Sequence, residues 1–167
     1  IWTWWFDSGI KQSEGHYIDD EQDGLWSYFS KDGSLAEEIT FSGGKRDGRS
    51  TVWLTPEEKQ EEKFYKNGKL DGPSTFWENG YRSTMTTYKS DSPEGPWVIW
   101  FSNSDQIKEQ GFHQKGIREG LTTYYYEDGT MQREGFFKEG LPDGMWTYWN
   151  RKGEKDFDFD FGSGLQH

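Results

Sequence analysis

The sequence predicts an all-β fold, an elongated open antiparallel meander built from about seven tandem 24-residue β-hairpin repeats. Three observations carry that prediction. Glycines recur ahead of aromatic runs at Gly24, Gly48, Gly72, Gly95, Gly120 and Gly144, with spacings of 24, 24, 23, 25 and 24. Aromatic residues fall in columns that keep this register. Between the runs stand Asp-Gly and Asn-Gly pairs, strong hairpin signals because a tight turn needs positive φ. Periodicity of this length marks a repeat protein before any single element is assigned.

The columns justify each element in turn. Five residues past the glycine stand Trp5, Phe29, Trp53, Trp77, Trp100, Tyr125 and Trp149; one position earlier stand Trp4, Tyr28, Val52, Phe76, Ile99, Tyr124 and Tyr148. Two positions past the glycine, Trp2, Trp26, Ser50, Ser74, Trp97, Thr122 and Trp146 alternate between large rings and small hydroxyls. Strand side chains alternate with period two, so Trp26 and Tyr28 share one face and Phe29 points to the other. The first strand of each unit ends at a turn such as Lys31-Asp32-Gly33, Glu78-Asn79-Gly80, Glu127-Asp128-Gly129 or Arg151-Lys152-Gly153. The returning strand carries the column Tyr17, Phe41, Tyr65, Tyr88, His113, Phe137 and Phe161. It leads to a second glycine-bearing connection such as Asn67-Gly68. Pro73, Pro96 and Pro142 are expected in connections or at strand starts, where a missing N–H is tolerated. The run Asp156 to Phe161 alternates polar and apolar residues and predicts a terminal strand whose carboxylates discourage edge pairing. The edge at Trp2 looks unprotected, which favours a preceding segment.

The repeat makes residues 1–167 one domain, with approximate units 1–23, 24–47, 48–71, 72–94, 95–119, 120–143 and 144–167. Each unit gains stability by packing on its neighbours. A helical reading fails because no 3.6-residue period persists. A propeller blade needs four strands, more than 24 residues supply.

Composition narrows the function. A net charge of −11 argues against a nucleic-acid binder and against an anionic membrane surface. No run approaches the ~20 apolar residues of a membrane span. Cysteine is absent, which removes thiol catalysis and zinc–thiolate sites. Aromatic residues make up 19% of the chain, so rings rather than aliphatic side chains supply the apolar burial. Ile1 rather than Met stands first, consistent with a processed or trimmed N-terminus, and both the bacterial cytoplasm and a cell-envelope or secreted location stay open.

The pattern Gly-x-Trp-x-Tyr-Phe/Trp-x-x-x-Gly, followed by Glu-x-x-Tyr/Phe-x-x-Gly, resembles the MORN repeat. It looks closest to the MORN variant of bacterial YwqK-type antitoxin-like proteins. The clearest matches are Asp23 to Phe29 with Gly33, and Asp143 to Trp149 with Gly153; the second half matches in Glu62 to Gly68 and Glu134 to Gly140. Pro56-Glu57, Ser104 and Met85 depart from it locally. The resemblance implies a hairpin sheet used for protein association or, less in keeping with this charge, for membranes.

Chemistry is sparse. Asp23, Asp47, Asp71, Glu94, Glu119 and Asp143 each precede a repeat glycine and form an acidic turn ladder. One reading attracts a basic partner; the other has each carboxylate cap its own local turn. Equivalent positions lie roughly 10 Å apart, too far for one Ca²⁺, so no metal is expected. Glu14, Glu38, Glu62, Glu134 and Asp158 form a second periodic set, and periodic carboxylates lack the unique pairing that acid–base catalysis needs. His16 and His113 stand about four units apart and His167 is terminal, so they cannot share a metal or triad. No catalytic residue and no cofactor are expected.

Trp26, Tyr28, Trp97, Ile99, Trp146 and Tyr148 share a face that Ser50 and Ser74 lower in the middle. This column reads either as the sheet's own core or as an aromatic contact track of the kind found at interface centres. The leading function is a non-catalytic protein-interaction or scaffold module, presenting an aromatic sheet face with acidic rims to a protein partner, basic in the first instance. The alternatives are a neutralising protein of the antitoxin or immunity type, and an accessory domain of a larger secreted or membrane-anchored protein, with glycan binding as one form of that role.

Overall fold

A computed structural model describes residues 1–162. Fourteen strands form one open antiparallel sheet in sequential order, without a helix among the described residues. They group into two compact units. The first holds residues Ile1–Gly80 and Tyr88–Asp91. Its strands are β1 (Trp2–Trp5), β2 (Lys11–Ile18), β3 (Glu21–Phe29), β4 (Leu35–Ser42), β5 (Lys45–Thr55), β6 (Glu58–Lys66) and β7 (Lys69–Glu78). Strand β8 (Tyr81–Lys89) is divided between the units. The second unit holds β9 (Ser92–Trp100), β10 (Ile107–Gln114), β11 (Ile117–Tyr125), β12 (Met131–Lys138), β13 (Leu141–Trp149) and β14 (Lys155–Asp160).

Two kinds of turn recur between the strands. In the three-residue kind, Ser30 N–H donates to the Ser34 carbonyl and Gly33 N–H to Ser30. The same pattern recurs at Tyr126–Thr130 and Asn150–Glu154. Asp32 and Asp128 brace these turns by accepting from the N–H and hydroxyl of Ser34 and Thr130. Those bonds hold both carboxyls below the usual carboxylate range. The second kind has two residues, both at positive φ, as at Asn67-Gly68 (51° and 81°) and Glu139-Gly140 (52° and 83°). Such primed turns match the right-handed twist of the strands they join.

The repeat glycine turned out to have a different job from the one its spacing suggests. The strands do not start there. They run through it, and the turn lies four or five residues earlier, so the unit boundaries drawn at the glycines fall inside strands. Towards the preceding strand, Glu14 and His16 face Ser27 and Asp23, so two steps on β2 oppose four on β3. The same two-against-four mismatch occurs at Ile39/Phe41, Lys63/Tyr65, Gln110/Phe112 and Glu134/Phe136. Towards the following strand the pairing stays regular from Gly24 to Tyr28. The glycine, at φ 74° in Gly24 and 127° in Gly72, absorbs this bulge. Such a bulge bends its strand. Pro142 stands at the start of β13 as expected, whereas Pro73 and Pro96 lie inside β7 and β9 rather than in connections. They sit beside the bulge, where ladder bonding is already interrupted.

The bend closes one face of each unit over its own rings. Trp26, Trp97 and Trp146 are only 2–3% exposed, and Ser50, Ser74 and Thr122 in the same column are also buried. The sequence contains a size code for this packing. Gly15 underlies Trp26 and Gly135 underlies Trp146, so closely that a Cβ would come within 2.3 Å and 2.2 Å of the indoles. Where Ile39 replaces that glycine, Ser50 replaces the tryptophan opposite, and Ile39 itself is buried. Each indole then sits among rings. Trp26 meets Trp4, Tyr17, Tyr28 and Phe41 at centroid distances of 5.4, 5.1, 6.1 and 6.4 Å. Trp146 meets Tyr124, Phe137 and Phe161 at 6.1, 5.3 and 5.6 Å.

Candidate functional site

The predicted contact residues divide between core and surface. The three tryptophans are removed from any contact role by burial, which corrects the reading of their column as an aromatic track. Two of their N–H groups are spent internally as well: Trp26 Nε1 donates to the His16 carbonyl at 3.1 Å and Trp146 Nε1 to the Phe136 carbonyl at 3.2 Å, while Trp97 Nε1 is buried without a hydrogen-bond partner among the described residues. Tyr28, Ile99 and Tyr148 lie half-buried on the same face. Burial lifts the Tyr28 phenol above its ordinary value, against the lowering effect of the Gln22 hydrogen bond.

The acidic ladder is structural, and it acts one repeat ahead rather than on its own turn. Asp47 Oδ2 accepts from Asn67 N–H at 2.9 Å, Glu94 Oε2 from Lys115 N–H at 2.7 Å and Glu119 Oε2 from Glu139 N–H at 2.8 Å. Asp71 makes a longer bond of 3.4 Å to Ser90 N–H. Beside each carboxylate the next turn residue donates to a strand carbonyl: Gly68 to Arg46, Gly116 to Pro93 and Gly140 to Arg118. Next to Asp23, Gly44 N–H makes the same backbone bond to Gln22, and Asp143 is likewise engaged with a neighbour. A left-handed turn residue points its N–H out of the ladder, and the carboxylate of the preceding repeat satisfies it.

The second aromatic column faces the other way, and its rings Phe29, Trp53 and Trp77 lie under lysines. Lys11 Nζ lies 5.3 Å from the Phe29 centroid, and Lys59 Nζ lies 5.7 and 5.6 Å from Trp53 and Trp77. The periodic glutamates hold these lysines in place, Glu14 on Lys11 at 2.6 Å and Glu62 on Lys59 at 2.7 Å, with Asp158 bound to Lys155. Lysine stems shield the rings while the ammonium stays in water.

Chemistry-bearing groups remain scattered among the described residues. His16 belongs to the first unit and His113 to the second; His167 lies outside the described residues. His113 replaces the aromatic ring of its column and packs 5.7 Å from Trp97. Burial pushes its imidazole below the ordinary value, and the Arg118 guanidinium adds to that. Arg118 is stacked 4.4 Å from Trp97 and paired with Glu109 at 3.5 Å. Among the described residues, no cluster of three His, Cys, Asp or Glu side chains is arranged to hold a metal.

A contiguous row of exposed apolar side chains lies at positions outside the columns named from the sequence. On the second face of the second unit, Phe112, Leu121, Phe136 and Met145 are 41–58% exposed. They belong to four consecutive strands, with Pro96 paired to Phe112 and Leu121 to Phe136. Pro96, Val98, Phe112 and Leu121 line a depression of about 230 Å³. Acidic residues border the stripe on both sides. Glu119 and Asp143 pair with Phe112 and Phe136, while Glu134 and Asp158 flank it at the Thr123 and Thr147 register. In the first unit the same positions read Leu25, Arg49 and Pro73, so the stripe is interrupted. The signal was present one residue past each repeat glycine, where only the second unit carries Pro96, Leu121 and Met145 in succession.

Two segments match the family model described as MORN repeat variant, residues 22–42 and 118–139. They cover most of the β3–β4 hairpin and the β11–β12 hairpin, so the model recognises the same structural unit once in each half of the chain. No curated protein matches this sequence.

Proposed function

We propose that the chain is a non-catalytic protein-interaction module, and that the stripe of Phe112, Leu121, Phe136 and Met145 is its contact surface. The supporting observation is the stripe itself: a contiguous row of exposed apolar side chains across four strands marks an interaction site more often than chance exposure. Its borders of Glu119, Glu134, Asp143 and Asp158 favour a partner segment in which apolar side chains are flanked by Lys or Arg. MORN-type repeats, matched here in two hairpins, are generally associated with protein- and membrane-binding modules. The net charge of −11 favours the protein over an anionic bilayer. A neutralising role of the antitoxin type is the special case in which that partner is a toxin, and it rests on the resemblance alone.

The test is affinity capture from the native source with the wild type and a Phe112→Ser/Phe136→Ser variant, each shown to be folded by its thermal midpoint. A specific partner captured by the wild type should be lost or weakened at least about tenfold by the variant, since two central apolar anchors are removed. Undiminished capture by the folded variant would refute the assignment of this surface.

A further inference from the structure

On the bent face of the first unit, Trp2 and Trp4 of β1 and Tyr17 of β2 line a recess of about 200 Å³ together with Asp20. The indoles of Trp2 and Trp4 lie 6.4 Å apart, with planes 25° from parallel. Tyr17 meets Trp2 at 81° and Trp4 at 60°, with centroids 6.1 and 5.9 Å away. The three rings therefore form walls in two steeply inclined orientations. They are 37–60% exposed, whereas Trp26 beneath them is 2% exposed. Asp20 comes from the two-residue turn after β2 and has φ 62°. Five other two-residue turns place a glycine there, Gly44, Gly68, Gly80, Gly116 and Gly140, and one places Asp91. At Asp20 the carboxylate stands at the rim of the recess.

We propose that this recess binds a quaternary ammonium group. Aromatic faces carry negative quadrupole charge and attract a cation set against them, most strongly when the cation is weakly hydrated. Alkyl groups on the nitrogen make it so, and they fill apolar contact with the rings. The Asp20 carboxylate supplies the opposite charge that a neutral ligand would leave unused. A compact tetrahedral head fits walls inclined to one another, whereas a flat ring needs a single platform. An alkali cation would have to shed a tightly held hydration shell for partners that offer one carboxylate. The recess lies in the first unit and does not involve the stripe of Phe112 and Phe136, so the two assignments stand or fall separately.

Titration of the 167-residue chain with choline chloride, followed by calorimetry and by amide and indole NMR signals, tests this. Controls are sodium chloride at matched ionic strength and the neutral isostere of choline with carbon in place of nitrogen. Saturable binding is expected, with the indole signals of Trp2 and Trp4 shifting and the isostere binding about tenfold more weakly. Asp20→Asn and Trp2→Ala should each weaken choline about five- to tenfold, while Phe112→Ser/Phe136→Ser leaves it unchanged. Should Trp2→Ala disturb the fold, Asp20→Asn decides, because it alters only a turn side chain. The proposal is overturned by absence of saturable binding up to about 50 mM, by equal affinity for the isostere, or by full binding in Asp20→Asn.

Discussion

Gly135 lies directly beneath Trp146: a Cβ on the glycine would stand 2.2 Å from Cδ2 and 2.3 Å from Cγ of the indole. The tryptophan can be buried because the neighbouring strand has no side chain at that position. A Gly135→Val substitution should therefore cost about 3 kcal/mol, at the upper end of overpacking, because backbone and a fully packed ring must both give way. Combining it with Trp146→Ser gives a β-branched residue opposite a serine, like the Ile39/Ser50 pair of the first unit. The double variant is expected to be more stable than the sum of the two losses allows, and denaturant unfolding of the four proteins measures that coupling. Strictly additive losses would show that the size code is coincidental.

Asp47 tests the stitch between repeats. Its Oδ2 accepts the Asn67 N–H, one repeat ahead, at 2.9 Å. Asp47→Ala should lower stability by about 1 kcal/mol, the ordinary scale for an exposed hydrogen bond to a charged group. Hydrogen exchange adds a local readout: the Asn67 amide should lose protection in the variant while Gly68, which donates to the Arg46 carbonyl, keeps most of its own. Unchanged exchange at Asn67 would remove the ladder's structural role.

His113 should make stability depend on pH near neutrality. Its folded-state pKa is lowered below 6.5 by burial and then by Arg118. The unfolded chain thus binds a proton first as pH falls. The stability contribution is complete above about 6.5 and is lost as pH drops from there through the folded-state value. Thermal midpoints measured between pH 5 and about 7.5 should fall towards acid in the wild type. His113→Phe, which restores the ring found in six other units, should flatten that slope and raise the midpoint. A slope unaltered by the substitution would assign it to other groups.

Lys59 spans Trp53 and Trp77 with its Nζ 5.7 and 5.6 Å from the rings, and it is bound by Glu62 at 2.7 Å. If the stem matters more than the charge, Lys59→Met should cost under about 0.5 kcal/mol and Lys59→Ala about 1 kcal/mol. Equal losses in unfolding measurements would credit the ammonium instead.

Much of the fold was legible in the residues. The spacing of Gly24, Gly48 and their successors required a hairpin repeat, and the alternation around Trp26, Tyr28 and Phe29 assigned the two faces correctly. The alternating run from Asp156 does form the last strand, β14. These are local matters, set by turn chemistry and by a period-two backbone. The role of the repeat glycine was less legible, because Asp-Gly before an aromatic run reads as a turn whether it lies in one or in a bulge. What distinguishes the two is the register against the preceding strand, and register is a property of two strands.

The same reason separates what the residues alone determined from what tertiary structure decided. Sequence sufficed for the repeat, its length and its antiparallel order. Whether the Trp26, Trp97 and Trp146 rings are core or surface depended on how far the sheet bends. That bend follows from two extra residues at each bulge and from Gly15 and Gly135 yielding their space to an indole eleven positions on. Once those rings turn inward, exposed apolar surface is left elsewhere, on Phe112, Leu121, Phe136 and Met145, and burial is a quantity that only packing assigns.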